Sequence, residues 1–353
     1  MQQFTYTGNP SHVVFGAGSL QHLLREVELL GAQRALVLCT PGQRAGAQRI
    51  VDMLGKRCAG IFDGAVMHVP IEAACQARQL AQQLGADCAI AFGGGSTIGL
   101  GKAIALESSL PIVAIPTTYA GSEMTPIYGI TDAGLKTTGR DIRVLPKTVI
   151  YDPELSLGLP PAISATSGIN AIAHAAEGLY APDANPVTSF FAEEGIRLLA
   201  RALSRIMHSP QDINARSDAL QGAWFCGTVL GSAGMGLHHK LCHTLGGSYG
   251  LPHAETHTII LPHALHYNAT AASGAMQRIA AALGAGNAAQ GMFDLAQSLG
   301  APTALRDIGM PESELERCSD IAVQNAYANP RPVEKEAILA LLKNAYHGAR
   351  PAG

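Results

Sequence analysis

The chain has 353 residues, 47% of them hydrophobic and 14% charged, with a formal net charge of −3. That length suggests two domains with a sizeable core, and the near-neutral balance, with no basic face, excludes nucleic acid as a partner. No uncharged apolar run reaches the roughly eighteen residues of a membrane span, the N-terminus lacks a charged-then-apolar signal pattern, and the seven cysteines (39, 58, 75, 88, 226, 242 and 318) form no CxxC, which reads as reduced thiols in a cytoplasm.

Phe4 to Tyr6 and His12 to Phe15, around Gly8 and Asn9, read as strand, turn and strand. Ser19 reads as the cap of a helix running through Leu30. Ala35 to Cys39 is a short buried-strand run that ends at Thr40; a helical stretch to about Gly55 and an apolar run from Gly60 to Asp63 follow. Ile71 to Leu84 is helical in composition, Cys88 to Phe92 and Pro111 to Ile115 are buried strands, and a helix carrying Lys102 to Leu106 lies between those two. Ile127 to Thr131 and the stretch between Leu135 and Val144 read as a hairpin excursion, with Thr148 to Tyr151 as a last strand. This alternation implies a parallel sheet with helices on both faces. From about Leu155 alanine and leucine dominate and the period turns helical. The boundary falls between Asp152 and Pro161, giving an α/β domain over 1–155 and a nearly all-helical domain over 156–353.

Gly93, Gly94, Gly95 and Ser96 follow a buried strand and open a helix. Glycines let the backbone approach an anion, and helix N-terminal N–H groups bind phosphate, so this loop suits a dinucleotide pyrophosphate. A tight structural turn explains a triple glycine equally well. A second candidate loop, Thr117 and Thr118 through Ser122, follows the next strand. The strand ending at Thr40 has no acid there to read a ribose or repel a 2′-phosphate, and Arg44 is near, so NADPH is permitted as well as NADH.

The stretch from Gly236 to His253 holds four histidines. His239 and His243 are four apart and stack on one face of a helix; His253 comes after a glycine-rich turn and reads as a loop residue. Upstream, Asn170 and His174 are also four apart, in a helical run that reaches Glu177. Two helices with such pairs and a third histidine can build a metal or acid–base site. Cys242 reads as packing, and so, in the main, do His257, His263 and His266.

These motifs, in this order, resemble the iron-containing (group III) alcohol dehydrogenases: Gly93–Ser96 with Lys102, Pro116–Thr118 with Gly121–Glu123, Asp152-Pro153, Gly168 through Asn170 to His174, and His239, His243 and His253. The resemblance spans nearly the whole chain. It implies an N-terminal dinucleotide-binding α/β domain, a C-terminal helical domain, an active site in the cleft between them, and a homodimer. The family's metal ligands would fall on positions 170, 174, 239 and 253, but position 170 is Asn, and Gly99 stands where the glycine motif has Asp. Both departures resemble the maleylacetate reductase branch. That resemblance implies NADH- or NADPH-dependent reduction of maleylacetate and substituted maleylacetates with no metal required; the alternative is an iron- or zinc-dependent alcohol dehydrogenase of the same fold. Replacing a ligand carboxylate by an amide removes one charge, which weakens cation binding and favours a dianionic substrate. On this reading Asn170, His174, His239, His243 and His253 are catalytic; Thr40, Gly93, Gly94, Gly95, Ser96, Thr117, Thr118 and Ser122 bind the cofactor; and Lys102 and Lys136 join His239 and His253 on the substrate.

Overall fold

The computed structural model describes residues 3–9, 11–132, 135–324 and 327–352, the side chains at 135 and 136 excepted. Its contacts divide the chain into two compact units, Gly8–Leu159 and Pro160–Gly353, the latter grouped with Met1–Thr7.

In the first unit the elements run β1 (His12–Phe15), α1 (Leu23–Leu29), β2 (Ala35–Leu38), α2 (Arg44–Leu54), β3 (Cys58–Phe62), α3 (Ile71–Gln83), β4 (Cys88–Gly93), α4 (Gly95–Ser108), β5 (Ile112–Pro116), β6 (Ile127–Asp132), β7 (Leu135–Arg140) and β8 (Thr148–Tyr151). Six strands form one parallel sheet in the order β1-β8-β5-β4-β2-β3, and β6 and β7 form a separate antiparallel hairpin. The central strands are apolar without alternation because both faces are covered. Val37, Ile90, Val113, Ile115 and Ile150 pack with Leu23, Val27 and Ile50 on one side, while Leu36, Leu38 and Ala89 pack with Ala74, Ala77 and Ile104 on the other. From β2 the chain passes to β3 on one side, and from β4 to β5 on the other. The order therefore reverses between β2 and β4, and ligands of such sheets bind at the carboxyl ends of the strands at that point.

The second unit is helical among the described residues: α5 (Pro161–Tyr180), α6 (Pro186–His208), α7 (Ile213–Ser232), α8 (Leu237–Tyr249), α9 (His253–Asn268), α10 (Ser273–Leu283), α11 (Ala288–Ser298), α12 (Leu315–Ala322) and α13 (Lys335–His347). One core cluster joins α8 and α9 to α12 and α13 through Leu241, Leu245, Ile260, Cys318 and Leu342. Among the described residues no helix is long and apolar enough to cross a membrane.

Three local expectations are corrected. Phe4 to Tyr6 form no strand; Phe4 is 49% exposed, and β1 pairs only with β8 at the sheet edge. Ser19 does not cap a helix. Its hydroxyl donates to the Tyr151 carbonyl at 3.1 Å, and the carboxylate of Asp152 takes the Gly18 and Leu20 N–H groups, each at 3.0 Å. His253 is not a loop residue: Gly250 closes α8 at φ 64°, and Pro252, preset for the turn, starts α9 at His253.

Candidate active site

In the α/β unit, the switch point of the sheet gathers the ends of β2, β4 and β5. Thr40 donates from Oγ1 to Gln43 Oε1 (3.1 Å), Gln43 Nε2 donates to Thr117 Oγ1 (2.8 Å), and the Thr117 N–H donates to the Gly93 carbonyl (3.1 Å), so the three strand ends are laced together. Gly93 sits at φ 150°, where a side chain is strained, and a Cβ there would lie 2.6 Å from both Gln43 Oε1 and Thr97 Oγ1. At Gly94 a Cβ would meet Thr118 at 2.9 Å, whereas Gly95 has nothing nearer than Ala120 at 3.6 Å. The first two glycines thus serve the turn. Beyond them, the opening turn of α4 begins at Gly95 and Ser96, and such a turn leaves N–H groups without intrahelical acceptors. An acid lies just past the neighbouring strand β3. Asp63 follows Phe62, whose carbonyl takes the Cys39 N–H, and Asp63 holds Arg44 at 2.6 Å.

Lys102, expected at the substrate, is fully buried. Its Nζ lies 2.6–3.1 Å from five oxygens, on Ser122 (carbonyl and hydroxyl), Thr125 (carbonyl and hydroxyl) and Ile127 (carbonyl). Burial pulls its pKa down to about 7 against the charge of Glu123, but five oxygens around one nitrogen hold the ammonium form. Lys102 therefore anchors the segment after β5, Ser122 included, and presents no charge to a ligand. The Lys136 side chain lies outside the described residues. Gly99, where the motif has an acid, has its space filled: a Cβ there would meet Val69 Cγ2 at 2.8 Å, and His68 and Val69 hold positive φ (65° and 48°) to place that methyl.

In the helical unit, Asn170, His174 and Glu177 share one face of α5 at spacings of four and three. The Glu177 carboxylate sits at the start of α8 and takes the N–H groups of Gly236 (2.9 Å), His238 (2.8 Å) and His239 (3.3 Å), donors that the helix itself leaves unpaired. It also accepts from His239 Nδ1 at 2.7 Å. Burial opposes ionisation of Glu177, yet the bonds and charge from His239 overcome it and hold the carboxyl down at about 2. With Nδ1 of His239 carrying that proton, its Nε2 accepts, and His174 Nδ1 donates to it at 2.8 Å. Glu177, His239 and His174 form a relay that leaves His174 Nε2 as its outer atom. His243 is exposed one turn along α8, its ring centroid 6.1 Å from that of His239. His253 is half-buried, its centroid 4.3 Å from His257. His257, expected to be packing, lies with its centroid 5.0 Å from His239, and it bonds His238 at 2.9 Å. Asn170 is 4% exposed and its Oδ1 has no hydrogen-bond partner.

The structure thus brings His174, His239, His243 and His253 into one cluster. Glu177, Gln43 and His238 escaped the sequence reading; the spacing of Glu177 from His174 was its only signal.

A glycine turn at a switch point and an acid-supported histidine relay are the equipment of a nicotinamide-dependent dehydrogenase. The chain belongs to the iron-containing alcohol dehydrogenase family: the model of that name matches residues 10–153, and the model for the C-terminal region of Fe-containing alcohol dehydrogenases matches residues 164–346. It is 62% identical to maleylacetate reductase of Burkholderia cepacia, with 100% of both chains covered. The crystal structure of maleylacetate reductase from Agrobacterium tumefaciens superposes with a TM-score of 0.96 at 52% identity, covering 99% of this chain and 100% of that one. An iron-containing alcohol dehydrogenase from Corynebacterium glutamicum superposes at 0.95 with 44% identity, covering 100% of this chain and 99% of that one.

The ligand positions fit the family's metal poorly in charge. Position 170, an acid in the family motif, offers here a neutral amide whose buried Oδ1 has no hydrogen-bond partner, so the set has one negative charge fewer to hold a cation.

Proposed function

We propose that this chain reduces the conjugated carbon–carbon double bond of maleylacetate, and of substituted maleylacetates, to the corresponding 3-oxoadipates with NADH or NADPH, and that it needs no metal ion. The observation that carries the substrate is the full-length 62% identity with the Burkholderia cepacia enzyme. Residues 1–155 act as the dinucleotide-binding domain and 156–353 as the catalytic domain of a cytoplasmic homodimer, the last two on the thiol pattern and the family resemblance.

Gly95 and Ser96 receive the pyrophosphate on the first turn of α4, with Gly93 and Gly94 shaping the turn before it and Thr117, Thr118 and Ser122 flanking it, while Thr40 and Asp63 face the ribose. Hydride leaves the nicotinamide for the carbon β to the ketone. The double-bond pair moves to the ketone oxygen, giving an enolate, and a proton then adds to the carbon between them. The enolate and two carboxylates are anions; His253 and the protonated His174 Nε2 supply donors for them, with His239 behind His174 in the relay. Asn170 adds an amide donor without adding a negative charge, which suits a dianion better than the acid of the family motif. His243 stands against the reacting carbons. Glu177 fixes the tautomers of the relay, so that a proton on His174 Nε2 is balanced through His239 by a buried carboxylate.

NADH deuterated at its transferable position tests this reading. Deuterium should appear in a methylene group of 3-oxoadipate; deuterium on a carbinol carbon would overturn it in favour of alcohol dehydrogenase chemistry.

A further inference from the structure

Behind the relay lies a set of donors that the proposed reaction does not use. His238 and Cys242 are four apart on α8 and face His257 on α9. One donor atom from each of the three lies within 4.8 Å of the others, and all three side chains are buried. His238 Nε2 is 2.9 Å from His257 Nδ1 and 3.7 Å from Cys242 Sγ. We propose that His238, Cys242 and His257 form a binding site for a soft cation such as Zn²⁺ or Cu⁺, separate from the vestigial ligand positions, and that its occupancy stops turnover.

The geometry is close to that of a coordinated ion. Zinc bonds of about 2.0–2.1 Å to nitrogen and 2.3 Å to sulfur set tetrahedral N···N near 3.3 Å and N···S near 3.6 Å; both His238 contacts, at 2.9 and 3.7 Å, lie within a few tenths of an ångström of these spacings. Two imidazoles and a thiol, with no carboxylate, exclude calcium and magnesium and favour zinc or cuprous ion. A thiol must lose its proton to an incoming cation, so uptake rises with pH.

Occupancy reaches the reaction through contact. The His257 ring centroid is 4.3 Å from His253 and 5.0 Å from His239, and His238 precedes His239 in the chain. A cation there fixes the two supporting rings and sets a positive charge against the residues that handle the substrate and the proton.

The probe is cobalt(II), titrated into the purified full chain under reducing conditions. One equivalent should bind with a thiolate-to-cobalt charge-transfer band in the near ultraviolet, and NADH oxidation should fall in step with the band and return on chelation. Cys242→Ala, and independently His257→Asn, should lose the band. The original positions 174, 239 and 253 contain no sulfur, so His174→Ala should keep it. Cobalt taken up without a sulfur band, a band that survives in Cys242→Ala, or no uptake would overturn the site. The inhibition arm rests on the function proposed above and the spectroscopic arm does not; a band without any maleylacetate turnover would therefore fault that function and leave the site standing.

Discussion

Replacing Glu177 by Gln tests the relay with almost no change of shape. The carboxylate accepts five bonds, one each from Gly236, His238 and the Tyr180 hydroxyl and two from His239, and an amide oxygen can keep only some of them. With its amide oxygen in the place of Oε2, which takes the Gly236 N–H and both His239 groups, the variant keeps the direction of the relay and sets its NH2 against the His238 N–H. His174 then loses the buried charge that balances its protonated form. General acid–base contributions of this kind amount to about 10²–10⁴ in rate, so kcat for maleylacetate should fall by that range. NADH affinity, read by nicotinamide fluorescence, should hold, because the dinucleotide loops belong to the other unit. Stopped-flow NADH oxidation gives the first number, and the pH–rate profile gives a second: its acid-side limb should move, which a loss of packing alone would not produce. A folded Glu177→Gln protein with kcat within about tenfold of the parent and an unchanged profile would refute the relay.

Four further outcomes are expected. His243→Ala should lower kcat by about 10²–10⁴ with KM little changed, measured by steady-state NADH oxidation; full turnover would remove His243 from the reaction. Lys102→Met strands five oxygens and the buried Glu123, and should cost about 3–5 kcal/mol in urea unfolding, with loss of NADH binding. Asp63→Asn removes an acid beside Thr40 and frees Arg44, and should raise kcat/KM for NADPH over NADH roughly fivefold, one unit charge near a phosphate being worth about 1 kcal/mol in water. Burial holds His263 neutral, with its pKa down at about 4. The unfolded chain takes up that proton below about 6.5 while the folded one does not, so stability worth roughly 3 kcal/mol is lost as pH falls from about 6.5 toward 4; His263→Gln should flatten that limb of the urea midpoint against pH.

Much of the α/β unit was legible because its strands are short, unbroken apolar runs closed by glycine or proline: Cys88 to Phe92 before Gly93, and Ile112 to Ile115 before Pro116. The pairing of His239 with His243 was legible from a spacing of four. What failed depended on residues far away in the chain. Ser19 looked like a cap, but Asp152, 132 positions from Leu20, takes the N–H groups of that turn. Glu177 gave no sign that it would cap α8, since Gly236 is 59 residues beyond it and only helix packing joins them. Gly246 and Gly247 read as a turn yet lie inside α8, because only Gly250 takes the left-handed conformation that ends it. Lys102 looked like a ligand for anions because a lysine after a glycine loop usually faces one; the five oxygens around it come from a loop whose path the sequence does not reveal.

In the proposed reaction Asn170 and the histidine cluster do the work of the family's cation. NADH oxidation with maleylacetate by protein stripped with chelator, with metal content measured on the same sample, tests that proposal. Turnover should survive with metal far below one atom per chain and should not rise when iron or zinc is returned. Turnover that vanishes with the metal and comes back with iron or zinc would contradict it, and would mean that three histidines and an amide hold a catalytic ion after all.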